Sequence, residues 1–252
     1  MKRMLSIERG DELVGAEKVF GFFREQLLSG DLKTGDRLTG ERELSLSLGV
    51  SRPVLREALR SLAMLGFLEI RHGKGAYVKA ADVAVLRDFF TFSLTQQPDV
   101  LDDVMQARIA IECQAIRLAC ERAGDSDLTR ISNCLSKLMD TLDDPEAGGE
   151  ADFAFHLALV EAGHSPVLLT LYEAISELMK RSHKERRQLT VSVPGIRDYL
   201  VDAHREVFLS ILSRDPDQSE QKLRDHFAIG DEFRRKSYIV AYSKAAGPQR
   251  KD

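Results

Sequence analysis

Apolar residues along this 252-residue chain recur mostly at spacings of three and four, the period of helices that bury one face. Val19, Phe20, Phe23, Leu27 and Leu28 predict a first helix over 13–29, ended by Gly30. Leu44 and Leu48 predict a short second helix over 41–48, capped by Thr39 or Gly40 and stopped by Gly49, with Leu46 facing away from the stripe. Leu55, Ala58, Leu59, Leu62 and Leu65 predict a third helix over 51–65. Ser51 is a good N-cap for it, and Pro53 falls in the first turn, where its missing N–H does no harm. Strands near 67–71 and 76–79 then flank a turn at His72–Gly75, whereas residues 1–10 carry no pattern and are expected to fray. From 82 to about 243 the helical period returns, predicting helices over 82–96, 99–123, 125–142, 149–162, 165–187, 195–213 and 216–243. Pro98, Gly124, the run 143–149, Gly163, the run 193–195 and Asp215-Pro216 mark the breaks, and residues 244–252 read as a polar tail.

The third helix also carries Arg52, Arg56 and Arg60, a basic row on the flank that does not pack, and the hairpin after it carries Arg71, His72 and Lys74. A helix docked by one side and basic on another, followed by a basic ribbon, is what a winged helix-turn-helix presents to DNA. A solvated charged helix has the same pattern, and the basic row alone does not separate the two. The fold class that follows is mostly α: a winged helix-turn-helix with a small β-hairpin wing over 10–80, then an antiparallel bundle of about seven helices over 81–243.

Charge changes the picture more than composition does. The chain is 43% hydrophobic and 30% charged, as a soluble globular protein is, with a net charge of −4. Residues 1–80 hold 14 Lys and Arg against 11 Asp and Glu, and the remainder holds 22 against 29. A basic head on an acidic body fits a DNA-binding domain joined to something that does not touch DNA. No apolar run approaches the ~18–20 residues of a membrane span, and no signal-peptide pattern opens the chain. Cys113, Cys120 and Cys134 form no C-x-x-C pair and read as core packing in a reduced, cytoplasmic protein.

The run GDRLTGERELSLSLGVSRPVLREALRSLAMLGFLEIRHGKGAYV resembles the winged-helix domain of the GntR family of bacterial transcription regulators, over about residues 13–79. The motifs that carry the resemblance are E-R-E-L, L-G-V-S-R, R-E-A-L and G-x-G-x-x-V. It implies base and phosphate contacts from Arg42, Ser51, Arg52, Arg56, His72 and Gly73. The chain departs from the usual pattern at Thr39-Gly40, where Pro-Ser is commoner, and at Leu46, usually polar. The short Gly-x-Gly of the wing is no nucleotide loop, because no helix follows it.

In the body, the informative residues are polar ones on faces that should be apolar. Asp152 and His156 sit four apart beside Phe153, Leu157 and Val160; His204 sits among Leu200, Val207 and Ile211; His226 sits with Leu223 and Phe227. Burying them is costly unless they are paired. Ligation of one divalent metal would satisfy all four, and separate hydrogen bonds would satisfy each alone. The pattern D-x-x-x-H followed by one His in each of two later helices resembles the all-helical ligand (FCD) domain of the FadR subfamily of GntR regulators, over about 82–240. That resemblance implies a metal held by Asp152, His156, His204 and His226, with zinc the first expectation and nickel or manganese the alternatives. It also implies Arg108, of an R-x-x-x-E pair with Glu112, as the clamp for an effector's carboxylate. His164 and His183 read as surface residues.

The functional expectation is a repressor that binds a palindromic operator in double-stranded DNA as a homodimer and is controlled by a small carboxylate effector at the metal. One alternative makes the metal itself the signal. A metal-dependent hydrolase is the rival of another class; it lacks an added general base or an H-E-x-x-H and leaves the head unexplained.

Overall fold

The computed structural model describes residues 2–80, 82–191 and 193–245, with side chains described from 13 to 239 within those ranges. The chain divides into two compact units, Met1–Val85 and Leu86–Asp252.

The first unit holds α1 (Lys2–Ser29), α2 (Glu41–Leu48), α3 (Arg52–Met64), β1 (Leu68–Arg71) and β2 (Gly75–Val78). α1 begins at Lys2, well before the Leu13 expected from periodicity, and so takes in residues 2–10 of the stretch expected to fray. Gly40 is the N-cap of α2, and Gly49 ends it in the left-handed region at φ 62°, with the Val50 N–H bonded back to the Ser45 carbonyl. Ser51 caps α3, its hydroxyl oxygen accepting from the Val54 N–H at 3.4 Å. The stripe foreseen for α3 is buried at Leu55, Ala58, Leu59 and Leu62, whereas Leu65 follows the helix and stays exposed. Those four close a core with Val19 and Phe23 of α1, Leu44 of α2, Leu38, and Leu68 and Val78 of the hairpin. β1 and β2 pair antiparallel, Leu68 opposite Val78 and Arg71 opposite Gly75. Gly73 and Gly75, at φ 69° and 100°, make the turn between them. Leu46, the residue out of phase with its stripe, stands in solvent.

After the hairpin the described residues form eight helices rather than seven: α4 (Val83–Leu94), which begins three residues before the second unit, and within that unit α5 (Val100–Arg122), α6 (Asp125–Asp140), α7 (Pro145–Ala162), α8 (Pro166–Ala174), α9 (Ser176–Thr190), α10 (Ile196–Leu212) and α11 (Pro216–Ala245). The helix expected over 165–187 is interrupted at Ile175, whose φ of −107° and ψ of 12° leave the helical region. No Gly or Pro marks that break. Of the break expected over 143–149, residues 145–149 instead form the start of α7, where the Asp144 carboxylate accepts from the N–H groups of Glu146 and Ala147 at 2.9 and 3.2 Å. Gly148 and Gly149 are therefore helical. A Cβ on Gly149 would stand 3.0 Å from Lys184 Cα, so the missing side chain lets α9 lie close against α7. α7 packs on α5, α6 and α9, and its Phe155, Ala158, Leu159 and Ala162 join Ile116, Ile131, Leu138, Val207, Ile211 and Leu223 in the main core. Cys113 and Cys120 lie in that core, and Cys134 is half-buried beside it. Residues 246–252 of the expected tail lie outside the described residues. No described helix is long and apolar enough to cross a membrane.

Candidate functional site

The first unit places Arg42 on α2, Ser51, Arg52 and Arg56 at the start of α3, and His72 and Gly73 at the hairpin tip, all exposed. Arg56 is not free to sweep: its Nε donates to Glu41 Oε2 of α2 at 2.6 Å. That bond couples the two helices and leaves the outer nitrogens of the guanidinium for another partner. Arg60 faces Glu57 at 3.4 Å, one turn back on the same helix. In the wing, Arg71 donates to Glu69 at 2.7 Å and lies over the Tyr77 ring.

The second unit brings together the four side chains singled out in α7, α10 and α11. Ligand atoms of His156, His204 and His226 lie within 4.8 Å of one another. Asp152 Oδ1 is 3.3 Å from Nε2 of both His156 and His204. All four residues are buried.

Their hydrogen bonds fix the orientation of each ring. His156 Nδ1 is 2.6 Å from the Glu112 carboxylate, His204 Nδ1 is 2.7 Å from the Leu200 carbonyl, and both partners only accept. Tyr199 gives its proton to the His226 carbonyl at 2.5 Å, so its oxygen accepts from His226 Nδ1 at 3.2 Å. Each imidazole thus carries its proton on Nδ1 and a lone pair on Nε2. His156 Nε2 is buried with no hydrogen-bond partner. Two lone pairs facing a carboxylate oxygen at 3.3 Å repel unless a cation lies among them. Such support from the far ring nitrogen is what metal-binding histidines receive.

Glu112 is the hub behind this set. Its carboxylate accepts from Arg108 Nε at 2.7 Å, as R-x-x-x-E spacing suggested, and also from His156 Nδ1 and the Tyr172 hydroxyl at 2.9 Å. Burial pushes that carboxyl up, but Arg108 and His156 outweigh it and hold it at about 2. Burial likewise opposes ionisation of Asp152, and His183, whose Nδ1 faces Oδ1, leads the contacts that hold it well below the ordinary carboxylate range.

Two residues of the site were missed. His183 is 3% exposed, not on the surface, with Nδ1 3.4 Å from Asp152 Oδ1. Arg187, one turn later on α9, is 5% exposed with Nε 3.7 Å from Asp152 Oδ2. Both line a cavity of about 60 Å³ with Met105, Arg108, Tyr199 and His226. His164 does keep to the surface, bonded to Asp127 at 2.8 Å.

Burial lowers the His183 pKa to about 4 and also depresses His204 and His226. All three folded values lie below the ordinary ~6.5 of an unfolded chain. Between pH 6.5 and 4 the unfolded state therefore binds more protons, and stability falls as pH falls. For chelator-treated protein, His183 alone is expected to remove on the order of 3 kcal/mol across that window. Thermal melts in chelator from pH 7.5 to 4 check this; a melting temperature that stays level below 6.5 contradicts it.

A family model described as the FCD domain matches residues 103–228, and one described as bacterial regulatory proteins, gntR family, matches residues 16–78. A protein of Escherichia coli (strain K12), provisionally named as the L-lactate dehydrogenase operon regulatory protein, is 32% identical over 204 residues, 79% of this chain and 78% of that one. The galactonate operon transcriptional repressor of Escherichia coli (strain K12) is 30% identical over 205 residues, 78% of this chain and 86% of that one. Among solved structures, Streptococcus agalactiae GntR has the same fold, with a TM-score of 0.62 at 23% identity over 86% of this chain and 99% of that one. The chain belongs to the GntR family: it is a DNA-binding transcription regulator, not an enzyme, with a winged head and an FCD domain.

Proposed function

We propose that the protein is a repressor whose operator binding is controlled by a small organic acid, bound beside a divalent metal ion that Asp152, His156, His204 and His226 hold. The observation that carries this reading is the convergence of three buried imidazoles, with ligand atoms within 4.8 Å of one another, beside the Asp152 carboxylate. Three imidazoles and one carboxylate suit zinc, with nickel or manganese also compatible. The ion supplies positive charge to which an acid's carboxylate binds. Arg108 is the natural second contact, because its Nε is spent on Glu112 while its Nη2 is buried and unpartnered. Two relatives are named for operons of L-lactate dehydrogenase and galactonate, and lactate and galactonate are hydroxy acids.

A homodimer on a palindrome is part of the proposal, since one head offers few base contacts. α4 supports it: the helix buries none of its side chains and exposes Leu86, Phe89 and Phe92. The unpartnered Arg108 nitrogen favours acid control over the reading in which the metal alone is the signal. Gel retardation of operator DNA, with metal-loaded and chelated protein and with a panel of acids, tests the proposal. An acid is expected to release metal-loaded protein from the operator and to leave chelated protein indifferent. Affinity that follows metal and ignores every acid would establish the metal-sensing alternative.

A further inference from the structure

The cavity beside the histidines holds more positive charge than one carboxylate can answer. Arg108 is paired with Glu112 at 2.7 Å, and Arg186 with Asp231 at 2.8 Å. Arg187 has no such close partner among the described residues: its nearest carboxylate is Asp152 at 3.7 Å, and its Nε and Nη2 are buried without a hydrogen bond. Its placement is built in. α9 is held against α7 at Gly148 and Gly149, and a Cβ at Gly148 would stand 3.6 Å from the Arg187 guanidinium carbon.

Once Asp152 serves a divalent ion, Arg187 loses the one anion near it. With Arg108 paired to Glu112 and Arg186 to Asp231, the ion and Arg187 then have Asp152 alone among the described charged residues lining the cavity, which leaves two positive charges unanswered. A buried guanidinium without a counter-charge is costly, so the balance calls for a ligand with two negative charges. The cavity of about 60 Å³ is small, so the ligand that answers those charges is a short acid.

We propose that Arg187 forms a second carboxylate site in the same cavity as Arg108, and that the effector is a diacid of about two to four carbons. This inference rests on the metal-and-acid reading above. Arg187 is a specificity-determining residue in it, separate from the four metal ligands.

The test uses the full-length chain loaded with zinc, titrated calorimetrically with malonate, succinate and L-malate and, in parallel, with glycolate and L-lactate. Diacids are expected to bind at least about tenfold more tightly than the monoacids. Arg187→Gln is expected to erase that advantage while leaving monoacid affinity within about threefold and zinc content unchanged, and Arg187→Lys to keep most of it. Monoacids binding the wild type as tightly as diacids would overturn the proposal, as would Arg187→Gln weakening both classes alike or neither. Should a variant lose its zinc, the wild-type comparison decides alone. Binding of monoacids only sinks the diacid inference and spares the broader reading; binding of no acid by zinc-loaded protein sinks both.

Discussion

Replacing His156 and His204 together by alanine is expected to leave the purified chain without stoichiometric metal. The two residues are half of the proposed four-ligand set, from α7 and α10, and neither is exposed. Wild-type protein at a free zinc concentration 1,000 times its dissociation constant gains about 4 kcal/mol of stability. For a unit of this size each kcal/mol is worth roughly 2–4 °C, so zinc is expected to raise the wild-type melting temperature by about 10 °C and the double variant's by nothing measurable. Metal content by mass spectrometry is the second readout, with about one ion per wild-type chain and under a tenth in the variant. A double variant that keeps its metal would show that the ligands lie elsewhere. Glu112→Gln tests the support behind one ligand, because that carboxylate bonds His156 Nδ1 at 2.6 Å, although it also takes the counter-charge from Arg108. Loss of such support behind a ligand costs about 10–100-fold in metal affinity, so partial occupancy is expected there.

The four proposed ligands were legible because each is a polar residue at a position where its neighbours' period demands an apolar one. His183 and Arg187 broke that rule in the opposite direction. They sit in KRSHKERR, where the charge density of the run suggests a solvated face. Yet Met179, His183 and Arg187 recur every fourth residue, and Met179 is fully buried. That spacing was the available signal, and the flanking Lys180, Arg181, Lys184 and Glu185 obscured it. Gly148 and Gly149 misled for a related reason. Glycine usually marks a turn, but here two of them give up helix propensity so that α7 and α9 can approach. The division at Ile175 left no trace, since LTLYEAISELMK keeps its apolar period on both sides. The head was more readable because its caps, turns and stripes all point to one structure, from Ser51 at α3 to Gly73 and Gly75 in the wing.

Arg56→Ala is expected to weaken binding to the operator far more than binding to unrelated DNA, and Arg52→Ala to weaken binding to both. An arginine paired to guanine in the major groove is worth about 1–3 kcal/mol of discrimination, or roughly 5- to 150-fold. The two should be distinguishable. Arg52 opens α3, where backbone N–H groups and the Ser51 cap favour phosphate, whereas Arg56 lies one turn further in and is held by Glu41. A residue on phosphate lowers affinity for all sequences and reduces the salt slope by about one, and a residue on a base relaxes preference at one position. Arg56→Ala is therefore expected to flatten the preference at one base pair of each half-site with little change in salt slope. Glu41→Gln provides the control for how Arg56 is oriented. If Glu41 positions the guanidinium, the variant loses part of the same base preference; if Glu41 only competes with DNA for it, the variant binds every sequence more tightly. Fluorescence anisotropy against operator and single-position variants, at 50 and 200 mM salt, separates these outcomes. Arg56→Ala weakening operator and unrelated DNA equally would move sequence reading away from Arg56 to other residues of the head.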